Sequence, residues 1–541
     1  MSPQPVPAHA DPPFRATIGT RMSGVRDLLL APSLTPERVA ALLRPYGFLD
    51  PLRADRELQL LAEDPEARQL LAALLEELLQ AAAGSADADQ ALARFERFVR
   101  ASGSATRVFS HLRSDPRMLD VLLRTFGASS FLAEILIRHP DWLYWLSEPD
   151  VLTRPRRTAD VWSDVRAALE PLQEEAHRLD ALRVAKRREI LHVGIRDLLR
   201  FASVGATLEA LSEVAEALIE GALLVAETGL RESLGLDPPE PSTRRAGFVV
   251  LGMGKLGGGE LNFSSDVDLL YLYDSDRGRV RRGASAPPRR DYYQNLARRL
   301  TVALGDVTGE GYVYRVDLRL RPEGGAGSVA LPASAFAGYY RARGASWERL
   351  ALLKARPVAG DFELGARGLE RTSRFVFGPP FGEEALRELR RLKQQVDRRI
   401  AVRSEQARHV KLGIGGIREI ELVTQVLQLR FGGRRRALRP RGTLEALSAL
   451  LDADLVSAAD HRDLTRAYLF LRDVENKLQV VSDAQVHVLP EDPQELRRCA
   501  LRLGYRDRSG IAAEQALVAD YRRSTDAVHR IYEGVLGPAG S

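Results

Sequence analysis

Residues 252–274, GMGKLGGGELNFSSDVDLLYLYD, gather five glycines, a lysine, two serines and three aspartates into one short stretch. Glycine lets a backbone approach a ligand closely and turn its N–H groups toward an anion, which suits phosphate oxygens. Gly254, Gly257 and Gly258 are candidates for such a cradle. Lys255 adds positive charge, and Ser264 and Ser265 add hydroxyl donors. The order G-x-x-x-x-G-K-[ST] is absent, so this is not a Walker loop. It is not a dinucleotide fingerprint either, because aspartates follow where a helix should run.

Asp266 and Asp268 stand two apart on a predicted strand, so both carboxylates point to one face and Val267 and Leu269 to the other. Paired carboxylates repel unless something cationic sits between them. Divalent ions clamping the attacking and leaving oxygens of a phosphoryl transfer are natural occupants. The bland alternative is a solvated acidic strand end. A third acid is available in YVYRVDLRLRP (312–322), where Arg315, Asp317, Arg319 and Arg321 alternate with Val316, Leu318 and Leu320. This alternation predicts a strand with one apolar face. Asp317 then completes a metal triad, while Arg319 and Arg321 meet a polyphosphate through their planar forks. The alternative is a ladder of salt bridges on an exposed sheet face. Lys354 is a further candidate for an anion contact.

The elements that must hold these residues change character along the chain. Residues 1–20 are rich in Pro, Ala and Thr and are predicted to be disordered. From about 24 to 235 the pattern is helical, including 58–84, ending on Gly84, and a long amphipathic helix over 206–235. Prolines in DPPEPSTRR (237–245) stop it. Strand signals occupy about 246–360, and helices return from about 382. The expected domains are 1–20, a helical region 21–240, a core 241–365 and a helical domain 366–541. KLGIGGIREIE (411–421) reads as a glycine-rich loop opening a helix whose N–H groups could bind an anion or regulator. Glu419 and Glu421 should fall on nearly opposite sides of that helix. The arginine-rich stretches 277–291 and 432–442 read as exposed loops.

Composition bounds the rest. The 541 residues are 45% apolar and 28% charged, an ordinary globular balance with room for several domains. Lys and Arg total 78 against 73 Asp and Glu, a net charge of +5, and aromatics are 6%. That excludes the basic, aromatic-laced stripe of a nucleic-acid binder. One cysteine, Cys499, excludes a disulfide framework and a cysteine-rich zinc site. Prolines occupy the start where a signal peptide needs an apolar run, and no stretch reaches membrane-spanning length. A cytoplasmic protein without membrane partners is expected.

A glycine loop, Asp-x-Asp and a third Asp on a later strand resemble the DNA-polymerase-beta nucleotidyltransferase superfamily. There the loop glycine is usually followed by Ser or Gly, whereas Gly254 is followed by Lys255. Within the superfamily, 252–269, 315–324, 347–356 and 411–421 look like successive blocks of the glutamine synthetase adenylyltransferase/adenylyl-removing enzyme. Segments 129–143 and 187–199 are similar to its N-terminal region, and 468–479 to a helical domain shared with PII-uridylyltransferase. The core block looks more like the N-terminal, adenylyl-removing copy of that two-headed enzyme.

The resemblance implies a mostly helical α+β chain, its nucleotidyltransferase core with a small mixed sheet flanked by helical regions. It implies removal of AMP from an adenylyl-tyrosine of glutamine synthetase by phosphate, releasing ADP. Asp266, Asp268 and Asp317 would hold Mg2+, two ions in all. The implied partners are glutamine synthetase, ATP or ADP, phosphate and the nitrogen signal protein PII. A single-domain adenylyltransferase working forward and a catalytically silent regulatory scaffold are the alternatives, and the intact triad argues against the scaffold.

Overall fold

Phe248, Val249, Val250 and Leu251 are apolar and fully buried, the pattern of a strand covered on both faces. In a computed structural model of the chain they form β1 (Phe248–Gly252). The structure describes residues 22–237, 247–280, 287–402 and 405–537. The expected disorder of 1–20, most of the proline stop and the middle of the first arginine-rich loop lie outside these residues.

The chain divides into two compact units, one up to Ser147 and one from Glu148. The first is wholly helical among its described residues. Its helices start on side-chain caps, Asp64 Oδ1 accepting from the Ala67 amide at 2.9 Å and Asp87 Oδ1 from the Gln90 amide at 3.0 Å. The leucine-rich stretch 58–84 is two helices, Pro51–Leu61 and Pro65–Ala83, because Asp64 and Pro65 start a new one. Leu71, Leu75, Phe95, Phe98, Phe109 and Phe126 make its core, with the Phe98 and Phe126 rings 5.7 Å apart. Trp142 stacks on His139 at 4.2 Å, as a helix-packing residue would.

The second unit carries the sheet. β1 pairs antiparallel with β2 (Val267–Tyr273). Along its other edge β2 pairs in parallel with β3 (Val316–Asp317) and then β4 (Ala330–Pro332), while β5 (Arg356–Gly360) flanks β1. The strand expected over 312–322 shrinks to two residues. After Asp317 the chain turns, because the Arg321 guanidinium donates to the carbonyls of Leu318, Gly325 and Gly327 and gathers the backbone into a loop.

The long helix Val204–Ser233 packs against β5 and the helix Arg289–Gly305. Farther on, Glu383–Ala401, Ile417–Phe431, Ala458–Gln479 and Ala513–Leu536 build a helical bundle. One apolar core runs from Val249 and Leu272 through Phe336 and Leu350 to Ile420, Leu471 and Val528, so sheet and bundle fold as one body. No helix among the described residues is long and apolar enough to cross a membrane.

Candidate functional site

The pairing of β2 with β3 sets Asp268 directly beside Asp317, and Asp266 immediately precedes β2. All three carboxylates line a cavity of about 580 Å³, with Gly254, Lys255, Ser264, Ser265, Arg319 and Lys354 also in its wall. Gly257, Gly258 and Arg321 are not in that wall. The two glycines line a second cavity of about 620 Å³ with Glu216, Arg356, Arg441 and Tyr468. A Cβ on Gly257 would meet the Lys354 carbonyl at 2.1 Å, so close backbone packing requires that glycine.

Gly254 serves the site directly. Its φ of +51° is left-handed, and a Cβ there would lie 2.7 Å from Asp268 Oδ2. Met253 donates its amide to the Asp268 carbonyl at 2.8 Å, fixing the loop beside that residue. No hydrogen bond reaches the Asp268 carboxylate among the described residues. Burial, together with the charges of Asp317 and Asp266, pushes its carboxyl up to about 6, with Lys411 and Arg319 pulling the other way.

The other two acids are occupied. Asp266 Oδ1 accepts from Arg315 Nε at 2.7 Å and Gln485 Nε2 at 2.8 Å. Asp317 accepts from the Arg319 amide at 2.8 Å and from its guanidinium at 2.5 Å, which holds the carboxyl below its usual range. Arg319 is an exposed side chain, so it can leave at little cost. Among the described residues no three acidic, histidine or cysteine groups already form an ion cage. Three carboxylates at one cavity, one without a hydrogen bond, are nonetheless the hard-oxygen donor set that suits magnesium.

The lysines expected at phosphate are held by acids. Lys255 Nζ donates to Asn262 Oδ1 at 2.7 Å and to Glu475 Oε1 at 3.0 Å. Burial brings it down to about 7, against the pull of Glu475, while Glu475 is held well below its usual range by Lys255, His487 and Arg472. Lys354 Nζ donates to Glu260 at 2.7 Å and to Glu421 and Thr443 at 3.1 Å each. Burial opposes its charge, but Glu260 and Glu421 outweigh burial and raise it. Glu421 is brought to about 2, its burial outweighed by Lys354 and Arg418. The Ser264 hydroxyl donates to the Asp483 carbonyl at 3.0 Å, and Ser265 Oγ accepts from the Asn262 amide at 3.1 Å.

Residues not singled out from sequence complete the wall. The buried helix Ala458–Gln479 aims Arg472, Glu475, Asn476 and Gln479 at the glycine loop. Arg472 donates to Asn262 Oδ1 at 2.7 Å, Asn262 to Asn476 Oδ1 at 2.6 Å, and the Ser264 amide to Gln479 Oε1 at 3.1 Å. The available signal was RDVENKLQ, a run of mostly polar residues directly after the apolar YLFL of the same helix. Of these only Gln479 lines the cavity itself, together with Gln485, His487 and Lys411.

KLGIGG is not an anion nest. The Leu412 and Gly413 amides donate to His409, Gly415 to Glu419 and Gly416 to Gly413. The next two amides, Ile417 and Arg418, donate to Val410 and Lys411, and a Cβ on Gly415 would meet the Thr525 carbonyl at 1.9 Å. Tight packing on Ala513–Leu536 requires Gly415, while Gly413 and Gly416 make room for the backbone of their own loop. Glu419 and Glu421 are both buried, Glu419 against Lys393 at 2.9 Å and His529 at 3.1 Å. The second arginine-rich stretch is also less free than expected. Arg439 lies 4.0 Å over the Phe377 ring and donates to the Gly432 carbonyl at 2.8 Å.

Comparison with known proteins agrees with this architecture. Residues 119–371 match the family model for glutamate-ammonia ligase adenylyltransferase, and residues 387–536 that for GlnD PII-uridylyltransferase. The chain is 40% identical over 443 residues to the bifunctional glutamine synthetase adenylyltransferase/adenylyl-removing enzyme of Rhizobium meliloti (strain 1021), covering 80% of this chain and 44% of that relative. Enzymes of the same name from Thioalkalivibrio sulfidiphilus (strain HL-EbGR7) and Stenotrophomonas maltophilia (strain K279a) are 37% and 39% identical. Those alignments cover 78% and 74% of this chain and 43% and 42% of the relatives. The chain thus spans less than half the length of the curated relatives it matches. Through residues 119–371 the chain belongs to the glutamate-ammonia ligase adenylyltransferase family, with a domain of the GlnD PII-uridylyltransferase kind following over 387–536.

Proposed function

We propose that this chain removes AMP from an adenylyl-tyrosine of glutamine synthetase by phosphorolysis. The observation that carries the reading is the convergence of Asp266, Asp268 and Asp317 on one cavity beside Gly254. The relatives' names supply the substrate, and the wording of the core block, GGGELNFSSDVDL, is what favours the removing copy.

In the reaction an oxygen of inorganic phosphate attacks the adenylyl phosphorus. The bond from phosphorus to the tyrosine oxygen breaks, the phenolate takes a proton, and ADP leaves. Asp266, Asp268 and Asp317 would hold Mg2+, proposed as two ions, which would supply positive charge around the reacting phosphorus. Arg319 moves from Asp317 to a phosphate oxygen, and Gly254 and the Ser265 hydroxyl donate to another. Lys255 and Lys354 act from behind, their pairs with Glu475, Glu260 and Glu421 locking the loop and the bundle in register. Ser264 likewise positions, through Asp483 and Gln479. PII is the proposed regulator.

The test mixes adenylylated glutamine synthetase with this protein, Mg2+ and phosphate. ADP should form, and D266N and D268N should each lose at least about a hundredfold in turnover while keeping the fold. Undiminished turnover in both variants would refute the site.

A further inference from the structure

The cavity holds several cations, and almost all are paired. Lys255 is held by Glu475, Lys354 by Glu260 and Glu421, Lys393 by Glu419 and Asp397, Arg319 by Asp317, and Arg418 lies 3.7 Å from Glu421. Lys411 lines the same cavity and, among the described residues, its ammonium makes neither an ion pair nor a hydrogen bond. Its electrostatic neighbours include Asp268, Lys255 and Glu475.

The backbone that carries Lys411 is fixed on both sides. The Val410 amide donates to the His487 carbonyl at 2.8 Å, and His409 bridges to Val488. Arg418 donates its amide to the Lys411 carbonyl at 2.9 Å, and Gly415 is wedged against Thr525. Such a seat fixes the backbone from which the side chain reaches the cavity, which lowers the cost of ordering it on binding. An ammonium at the cavity wall that pairs directly with no carboxylate keeps its donors free for an anionic ligand.

We propose that Lys411, supplied by the helical domain that follows the core, binds the inorganic phosphate dianion that attacks the adenylyl phosphorus. This rests on the phosphorolysis reading above. The same charge could instead meet the pyrophosphate part of a nucleoside triphosphate, and the test separates the two.

Removal of AMP from adenylylated glutamine synthetase is measured against phosphate concentration for the full chain, K411M and K411R. In K411M the KM for phosphate should rise about 10- to 100-fold, with the KM for the modified synthetase unchanged, and K411R should recover most of the loss. An unchanged phosphate KM in K411M overturns the assignment while the removal reaction stands. So does an effect confined to ATP or pyrophosphate. If the unmodified chain removes no AMP, the phosphorolysis reading has failed, and calorimetric titration with inorganic phosphate and Mg2+ judges Lys411 separately. Saturable binding that K411M loses supports it; equal binding, or none in either protein, overturns it.

Discussion

Buried charges near the cavity come in sets, and their energetics belong to the set. Lys354 is 5% exposed and faces two buried carboxylates, so removing its charge strands both. K354M should cost about 3–5 kcal/mol in urea unfolding, whereas K411M, which strands no partner, should cost under about 1 kcal/mol. A distant histidine predicts a pH effect. His192 is buried with Nε2 2.6 Å from the Val151 carbonyl, and burial brings its pKa down to about 4. Between pH 6.5 and 4 the unfolded chain therefore binds a proton that the folded chain refuses, and stability falls with pH across that window. The loss approaches about 3 kcal/mol near pH 4. H192Q, which keeps a donor toward Val151, should show a shallower fall in chemical denaturation over the same range.

At the scale of elements, two glycine loops that look alike in sequence do different things. In GMGKLGGG, Gly254 leaves room for Asp268; in KLGIGG, Gly415 leaves room for the backbone of a neighbouring helix. G254A should therefore lower turnover at least about tenfold with a stability loss of about 1–2 kcal/mol. G415A should unfold the chain at much lower urea, since its Cβ would need Ala513–Leu536 to move. Equal stability losses in the two variants would contradict this division. The contrast also marks what sequence could tell. Strands 248–252 and 267–273 and the helix 204–233 were legible because their apolar periods are long and unbroken. The stretch 315–321 was not, because the side-chain bonds of Arg319 and Arg321 override its alternation. The roles of Lys255 and Lys354 depend on acids at 475 and 421, which only the tertiary fold brings to them.

Across the whole second unit, the sheet and the C-terminal helices share one core, and the cavity wall draws on both. The three acids come from the strands and from the residue before β2, while Lys411, Gln479, Gln485 and His487 come from the helical domain that follows. The acid triad and glycine loop were readable as a constellation from residue types and spacing. The bundle's share was not, because polar residues on a buried helix face reveal a partner without naming it. In the proposed reading the core carries out the displacement at phosphorus and the bundle holds the incoming phosphate. The most direct test uses isotopically labelled inorganic phosphate with adenylylated glutamine synthetase and Mg2+. The account predicts that the label appears in the β-phosphate of ADP as the synthetase loses AMP. Release of unlabelled AMP, or uptake of AMP from ATP with no release in the presence of phosphate, would contradict it.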